Sequence, residues 1–280
     1  MQFLFSTGSL WSYSLERSFA FAAQAGFDGI EVMVDSRWES RQAFYLQSLV
    51  DRFGLPIIAI HSPFLANVPG WPQDHPGRVQ ATVRLAETVG AKVVVHHLPA
   101  RIGYVWVQAG SRFFPIPVPG FNTEGPHRQW LTEGYAALQS NTSVTLCIEN
   151  MPAQRRLGRR WNAHHWNTPQ EITHFPCLTL DTTHLGTWGL EPESVYQLLN
   201  HHVRHVHLSN FDGKEHLRPE TGHLRLDKLL ARMAADGYQA AITLELHPEA
   251  LDAGRPDEQI IERMTTSLHY CRTWAGSTAD

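Results

Sequence analysis

The sequence predicts a protein of the α/β class that folds as a single (β/α)8 TIM barrel. The chain has 280 residues, which suits one such barrel with modest insertions. Short apolar segments alternate with longer amphipathic stretches along the whole chain, as in repeated βα units around a parallel sheet. Six apolar segments also end in a residue that can bind a metal ion: His61, His96, Glu149, Asp181, His207 and Glu245. A TIM barrel brings strand ends together, and catalytic groups lie there.

Eight strands and eight helices are predicted in alternation, and together they form one domain over residues 1–280. The predicted strands are residues 2–6, 28–34, 57–61, 92–96, 144–149, 177–181, 203–207 and 241–246. The predicted helices lie near residues 12–25, 38–53, 75–89, 127–140, 168–174, 191–200, 225–236 and 256–273. Helix start signals support several of them, such as Asp74 ahead of Pro76 and Thr168 ahead of Pro169.

Alternation within the later strands indicates which face lines the barrel. Val144, Leu146 and Ile148 share one face of their strand, whereas Glu149 lies on the other with small and polar residues. The three strands that follow alternate in the same way. We therefore expect the aliphatic faces to pack under the helices and the candidate ligands to end the lumenal faces. Glu31 and His205 are expected to line the lumen as hydrogen-bonded groups.

The same rule decides between two neighbouring histidines at the end of the fourth strand. His97 shares the register of Val93 and Val95, which look like residues of an outward aliphatic face. His96 then has the lumenal register. We therefore predict His96, and not His97, as a ligand.

Composition limits the classes of partner. The chain has 23 basic and 27 acidic residues, a net charge of −4, which does not favour a nucleic-acid partner, although a local basic patch leaves DNA open. The three cysteines form no disulfide framework, and neither a signal peptide nor a transmembrane run is visible. We expect a soluble cytoplasmic protein without a membrane partner. The oligomeric state stays open, with a homo-oligomer among the alternatives.

Two long connections on the predicted catalytic side contain candidate substrate contacts. Residues 98–126 form a long β4α4 loop rich in aromatic residues and proline, which we interpret as a lid or an interface. Residues 150–167 are rich in arginine, which suits phosphate or carboxylate, although a solvated basic loop is the alternative. The predicted substrate-binding residues are Trp106, Arg155, Arg156, His165 and His247.

Glu149, Asp181, His207 and Glu245 offer three carboxylates and one imidazole from consecutive strand ends. Such a mixed nitrogen and oxygen set suits Zn²⁺, Mn²⁺, Co²⁺ or Mg²⁺. A metal ion held there could clamp two adjacent oxygens of a sugar and polarise its carbonyl. A carboxylate beside it could then move a proton on the neighbouring carbon. Each residue alone could instead be a hydrogen-bonded strand end.

Several short motifs occur in a characteristic order: GFDGIEV (residues 26–32), HSPF (61–64), GAKVVVHH (90–97), LDTTHLG (180–186) and HVHLSN (205–210). By these motifs the chain resembles the xylose isomerase-like TIM-barrel superfamily, which contains sugar isomerases and epimerases together with endonuclease IV.

Within that superfamily, ketose 3-epimerases hold one metal with Glu, Asp, His and Glu at the ends of the last four strands. The resemblance implies that Glu149, Asp181, His207 and Glu245 are ligands and that the two glutamates are the catalytic acid/base pair. The family's arginine shortly after the histidine is absent here, where Gly213 and Lys214 lie.

Endonuclease IV holds three metal ions with nine ligands, and the sequence matches eight of them. The matching residues are His61, His96, Glu149, Asp181, His184, His207, His216 and Glu245. The ninth ligand, an aspartate, is Lys214 here. The resemblance therefore implies one to three divalent ions.

Three hypotheses of function follow from these patterns. The leading one is a divalent-metal isomerase or epimerase of a sugar or sugar phosphate, in which His184 holds a substrate oxygen or a second metal ion. The alternative is a multinuclear zinc hydrolase or lyase that cleaves a phosphoester or glycosidic bond. The third, a catalytically silent barrel, is disfavoured by the intact ligand set.

Overall fold

A computed structural model of the chain describes residues 1–64, 68–101, 104–109, 112–117, 125–156 and 158–276. Eight parallel strands close into a barrel in the order β1-β12-β11-β10-β7-β4-β3-β2. These strands are β1 Gln2–Ser6, β2 Gly29–Met33, β3 Ile57–His61, β4 Val93–His97, β7 Thr145–Glu149, β10 Leu178–Asp181, β11 Val203–Leu208 and β12 Ala241–Leu244. The prediction of a (β/α)8 TIM barrel is confirmed, and each predicted strand end lies within two residues of the observed one.

Ten α-helices are present in the described part of the chain, and most of them cover the barrel. They are α1 Leu15–Ala25, α2 Ala43–Phe53, α3 His75–Val89, α4 Gly125–Glu133, α5 Tyr135–Ser140, α6 Pro169–Ile172, α7 Thr182–Trp188, α8 Pro192–Leu199, α9 Leu226–Ala235 and α10 Asp257–Gly276. Within the described ranges, none of these helices combines the length and the apolar character that a membrane crossing requires.

Side-chain caps explain several helix starts. The Asp74 carboxylate accepts a hydrogen bond from the Gly77 amide at the start of α3, and the Thr168 hydroxyl accepts one from the Glu171 amide at the start of α6. Both caps satisfy a backbone amide that has no partner within the helix. These two predicted start signals therefore act as expected, whereas Glu191, which precedes Pro192 at the start of α8, makes no side-chain cap.

Two helices differ from the prediction. The helix predicted over residues 127–140 is divided into α4 and α5 at Gly134, where a Cβ would lie only 2.6 Å from the Trp130 ring. The helix α7, which directly follows β10, was not predicted at all. Its seven residues include only one large aliphatic residue, Leu185, so it has no clear amphipathic pattern.

Two antiparallel hairpins lie outside the barrel. The first, β5 Tyr104–Ala109 and β6 Arg112–Pro117, occupies the middle of the long β4α4 connection. The second, β8 Gln154–Arg156 and β9 Arg159–Trp161, lies in the arginine-rich connection after β7. The prediction that residues 98–126 form a lid or an interface concerns side chains of residues 102–124, which lie outside the described part of the structure.

Apolar side chains form a layer in the barrel lumen below the candidate ligands at the strand ends. Their positions show that the predicted register of β4 is wrong. Val93 and Val95 belong to a buried lumenal cluster with Leu4 and Ala59, whereas Val94 packs in the outer core under the helices. Small aliphatic side chains fill the interior of an eight-stranded barrel, so a valine does not identify the outward face. His97 therefore has the lumenal register.

Candidate metal centre

The side chain of Glu149, at the end of β7, joins four imidazoles at the carboxyl ends of the barrel strands. Its Oε2 lies 3.3 Å from His61 Nε2 and 3.2 Å from His97 Nε2. Its Oε1 lies 3.2 Å from His207 Nδ1 and 3.5 Å from His184 Nδ1. The carboxylate is almost fully buried, with 1% of the side chain exposed. One carboxylate therefore lies at the centre of the cluster.

Three carboxylates converge on a single nitrogen of His207. His207 Nδ1 lies 3.0 Å from Glu245 Oε2, 3.2 Å from Glu149 Oε1 and 3.9 Å from Asp181 Oδ2. The four side chains come from β7, β10 and β11 and from the residue that follows β12. These are the four residues that the sequence predicts as a ligand set, and the fold brings them to one point.

The donor set fits a divalent cation. Asp181 Oδ1 accepts a hydrogen bond of 2.7 Å from the His184 amide, but its buried Oδ2 has no hydrogen-bond partner among the described residues. A buried carboxylate oxygen without a partner is costly, and three carboxylates around one imidazole are more costly still. Carboxylate oxygens with one or more imidazoles suit Zn²⁺, Mn²⁺ and Co²⁺.

Asp181 also belongs to a second group of possible metal ligands. The ligand atoms of Asp181, His184 and His216 lie within 4.8 Å of one another. Asp181 is the N-cap of α7 and accepts from the His184 amide, so the cap places His184 beside it. His216 lies in the loop after β11 with φ of 56°, and its amide donates to Thr183 Oγ1 at 3.0 Å. Helix α7 therefore supports this group from two sides.

The loop that contains His216 is organised by Asn210. The buried Asn210 amide group donates to the Pro219 carbonyl at 2.8 Å and to the Leu224 carbonyl at 3.2 Å. Its Oδ1 accepts from the amides of Phe211 at 2.8 Å and Leu224 at 2.9 Å. One side chain thus satisfies four backbone groups across the loop.

Replacing Asn210 by alanine should destabilise the protein by about 3 kcal/mol, because several buried backbone groups lose their partner at once. Urea unfolding monitored by circular dichroism measures this change. Asn200→Ala is a suitable control, since Asn200 is the C-cap of α8 and its side chain has no described hydrogen bond. A loss below about 1 kcal/mol would contradict the role given to Asn210.

Glu31 contacts the second ring nitrogen of His207, Nε2. The carboxylate is fully buried, and its Oε1 lies 3.1 Å from His207 Nε2. Its Oε2 lies 2.7 Å from His205 Nε2 and accepts from Thr243 Oγ1 at 3.1 Å. A carboxylate on the second ring nitrogen orients a metal-binding histidine and raises its basicity. As expected, Glu31 and His205 are hydrogen-bonded groups of the lumen.

The titration of the centre follows from this packing. Burial by itself would lower the pKa of His207, but Glu31, Glu245 and Glu149 together raise it well above its usual value. Burial would raise the pKa of Glu149, but His207 and hydrogen bonds from His61 and His97 hold it well below its usual value. A proton therefore resides on His207 beside an ionised Glu149.

The pKa values of the other two carboxyl groups move in opposite directions. Burial raises the pKa of Asp181 well above its usual value; His216 opposes this shift and Glu149 adds to it. For Glu245, burial is outweighed by His207, and the pKa falls to about 2. Asp181 therefore holds a proton to a higher pH than an exposed aspartate does, whereas Glu245 stays ionised to a lower pH than an exposed glutamate does.

The structure corrects the predicted ligand His96. Its ring lies on the outer side of β4, against the rings of His75, Trp130 and Tyr135. His97 takes the expected place beside Glu149, because β4 has the opposite register from the one predicted. The available signal was the paired HH that ends the GAKVVVHH motif, which leaves both histidines as candidates.

The predicted substrate-binding residues differ in location and in exposure. Arg155 is exposed on the β8–β9 hairpin, and the side chains of Arg156 and Trp106 lie outside the described part of the structure. His247 is half-buried, with its ring 5.3 Å from that of Trp11, and its amide donates to the His216 carbonyl at 2.8 Å. His247 therefore lies beside the loop of the second ligand group.

Of the adjacent His164 and His165, both candidates for substrate contact, His164 lies nearer to His97 and His184 of the centre. The half-buried ring of His165 contacts that of Trp166, and His165 is linked through its amide to the Pro99 carbonyl. Burial and the nearby His97 and His184 lower the pKa of His164 to about 3. His164 is therefore a neutral imidazole at the centre. Which of the two adjacent histidines lies beside the centre depends on the local strand and turn geometry. The sequence pattern does not show this geometry.

The sequence model of the xylose isomerase-like TIM barrel matches residues 19–267. An uncharacterized protein of Mycobacterium leprae (strain TN) is 23% identical over 292 residues, covering 96% of each chain. Among solved structures, a D-tagatose 3-epimerase-like protein has a TM-score of 0.69 at 19% identity, covering 100% of both chains. An AP endonuclease, family 2, from Brucella melitensis has a TM-score of 0.61 at 15% identity, covering 89% of this chain and 94% of that one. The two structural likenesses show a shared fold.

Proposed function

The chain belongs to the xylose isomerase-like TIM-barrel family, and we propose that it is a divalent-metal-dependent isomerase or epimerase of a sugar or sugar phosphate. The observation that carries this proposal is the approach of two glutamates to one point. Glu149 Oε1 and Glu245 Oε2 lie 3.2 Å and 3.0 Å from the same atom, His207 Nδ1. Reversible proton transfer at a carbon needs one group that removes the proton and one that returns it.

Accessibility distinguishes the two glutamates. Glu245 has 15% of its side chain exposed, whereas Glu149 has 1% and Asp181 is fully buried. A substrate that enters from solvent therefore meets Glu245 before the other two carboxylates. We assign Glu245 as the base that takes a proton from the carbon next to the substrate carbonyl, and Glu149 as its partner in returning a proton.

The remaining residues of the centre have supporting roles in the proposal. A divalent cation held by Glu149, Asp181, His207 and Glu245 would polarise the carbonyl and so acidify the neighbouring carbon. In this proposal His164 and His184 hydrogen-bond a substrate hydroxyl. The exposed guanidinium of Arg155 would suit a phosphate group if the sugar carries one.

Replacing Glu245 by glutamine should slow solvent deuterium exchange at the substrate carbon at least about a hundredfold, because the amide cannot accept the proton. The experiment incubates metal-loaded protein in deuterated water with a panel of ketoses and ketose phosphates, including D-tagatose, and follows exchange by NMR. Glu262→Gln, an exposed change on α10, is the matched control. Unchanged exchange in Glu245→Gln, or no exchange of any panel member by wild type, would reject the proposal.

A multinuclear zinc hydrolase is the second candidate, favoured by a separate observation. Two further groups flank the central four residues, since His61 and His97 join Glu149, and His184 and His216 join Asp181, each within 4.8 Å. Lys214, at the position of the ninth ligand of endonuclease IV, is exposed. Two or three zinc ions bound in the lumen, cleavage of an abasic-site oligonucleotide and absence of deuterium exchange would together select this alternative.

A further inference from the structure

Three imidazoles gather on the outer side of the barrel wall, behind His97. His75 begins α3, His96 lies on β4 and His127 lies in the first turn of α4. Their ligand nitrogens lie within 4.8 Å of one another. The rings of His75 and His127 stack with centroids 3.5 Å apart, and the ring of His96 lies 6.2 Å from that of His75. This outer histidine cluster shares no residue with the metal centre of the lumen.

Buried nitrogens of His75 and His96 lack hydrogen-bond partners within the described part of the chain. His96 is fully buried, and neither Nδ1 nor Nε2 has a hydrogen-bond partner among the described residues. The buried Nε2 of His75 also lacks one there, while its Nδ1 lies 3.2 Å from Arg78 Nη2. Leaving a buried polar nitrogen unsatisfied costs about 1–3 kcal/mol, so native proteins rarely do so without a ligand.

We propose that the outer histidine cluster is a second metal site, selective for Zn²⁺ or a cation with similar ligand preference. Three imidazoles are a known donor set for zinc, and the fourth position is commonly filled by water. Because the cluster contains no carboxylate, it does not suit Mg²⁺ or Ca²⁺, which prefer oxygen ligands. The site is thus distinct in its metal preference from the mixed centre in the lumen.

The distances are compatible with this assignment. Imidazole nitrogens bind zinc at about 2.0–2.1 Å, so two nitrogens of one tetrahedral ion lie about 3.3 Å apart. Since all three nitrogens already lie within 4.8 Å, each pair must close by at most about 1.5 Å. The stacked rings of His75 and His127 must also turn apart, so that both lone pairs point at the ion. The rings of Trp130 and Tyr135 flank His96 and exclude water from that side. The Arg78 guanidinium opposes a cation and reduces the affinity.

The location indicates what an ion would do there. His96 precedes the long connection over residues 98–126, and His127 follows it, while His75 belongs to the neighbouring helix α3. An ion bound to all three would tie the two ends of this connection to the barrel. Metal binding to the folded chain then adds directly to its stability. We therefore assign the site a structural role.

The test compares metal content in full-length protein that has been stripped with chelator and reloaded with Zn²⁺. His75→Gln and His127→Gln should each lose one equivalent of zinc relative to wild type and lose part of the rise in Tm on zinc addition. His269→Gln, an exposed histidine on α10, is the matched control. Wild-type zinc content in both variants would overturn the proposal.

Two further measurements keep the result decisive. The Glu149→Gln variant, which disrupts only the lumenal centre, should retain the equivalent of zinc bound by the outer histidine cluster. Loss of metal at one site can therefore be distinguished from loss at the other. If the histidine variants do not fold, a zinc-edge anomalous difference map from wild-type crystals soaked in Zn²⁺ decides the question. A peak among the three rings supports the site, and its absence overturns it.

Discussion

Replacing Glu149 by glutamine is expected to abolish metal binding in the lumen, and catalytic turnover with it. The Glu149 carboxylate contacts His61 and His97 through one oxygen and His184 and His207 through the other. Loss of a partner outside the ligand shell already weakens metal binding about 10–100-fold. Loss of a central ligand should therefore weaken metal binding at least about a thousandfold. The amide keeps the shape of the side chain, so the effect reports on charge.

Metal analysis and calorimetric titration with Zn²⁺ and Mn²⁺ measure the change. Glu258→Gln, on the exposed side of α10, removes the same charge elsewhere and should bind metal as wild type does. Circular dichroism verifies that the variant is folded. Retention of full lumenal metal content by folded Glu149→Gln would contradict the central role given to Glu149. No lumenal metal uptake by wild type would show that the clustered histidines and carboxylates are an internal ion-pair network and not a metal centre.

The second large effect is a steep pH dependence of metal affinity in the lumen. The pKa of His207 and that of Asp181 are both raised well above their usual values, so both groups hold their protons to a higher pH than free side chains do. A metal ion binds only the deprotonated forms and must displace these protons. Raising the pH removes the competing protons, so affinity strengthens with pH and weakens as the pH falls.

The expected size of this pH dependence is set by the number of protons that leave His207 and Asp181 when the metal ion binds. One displaced proton changes affinity tenfold per pH unit and two change it a hundredfold, so affinity should rise about 10²–10⁴-fold between about pH 6 and about pH 8. Competition with a chromophoric chelator at several pH values measures the slope. Glu31→Gln should flatten the slope, because Glu31 is a principal cause of the raised pKa of His207. A slope near zero in wild type would contradict the proton assignment.

The sequence predicts the barrel and most of the centre for a simple reason. A strand end is recognisable where an apolar run stops, and side-chain alternation assigns the last residue to a face. Glu149 and Asp181 end their strands on the lumenal face in this way, His207 is the last residue but one of its strand, and Glu245 directly follows its strand. Their convergence follows from the parallel barrel, in which all carboxyl ends of the strands meet at one rim.

The failures share one physical cause. The prediction favours His96 over His97 because it assigns aliphatic residues to the outward face, but Val93 and Val95 fill the apolar lower layer of the lumen. The outer histidine cluster likewise joins residues from α3, β4 and α4, which no local pattern connects. Spacing along the chain does not show which helix packs over which strand.

Residue identity and alternation along single strands, both local properties, were enough to determine the fold class and the three carboxylates that surround His207 Nδ1. The register of β4, the place of His164 beside the centre and the gathering of three histidines behind the barrel wall were decided by tertiary structure. Each depends on which surfaces meet when the sheet closes and the helices pack on it. That packing arises from contacts between residues far apart in the chain.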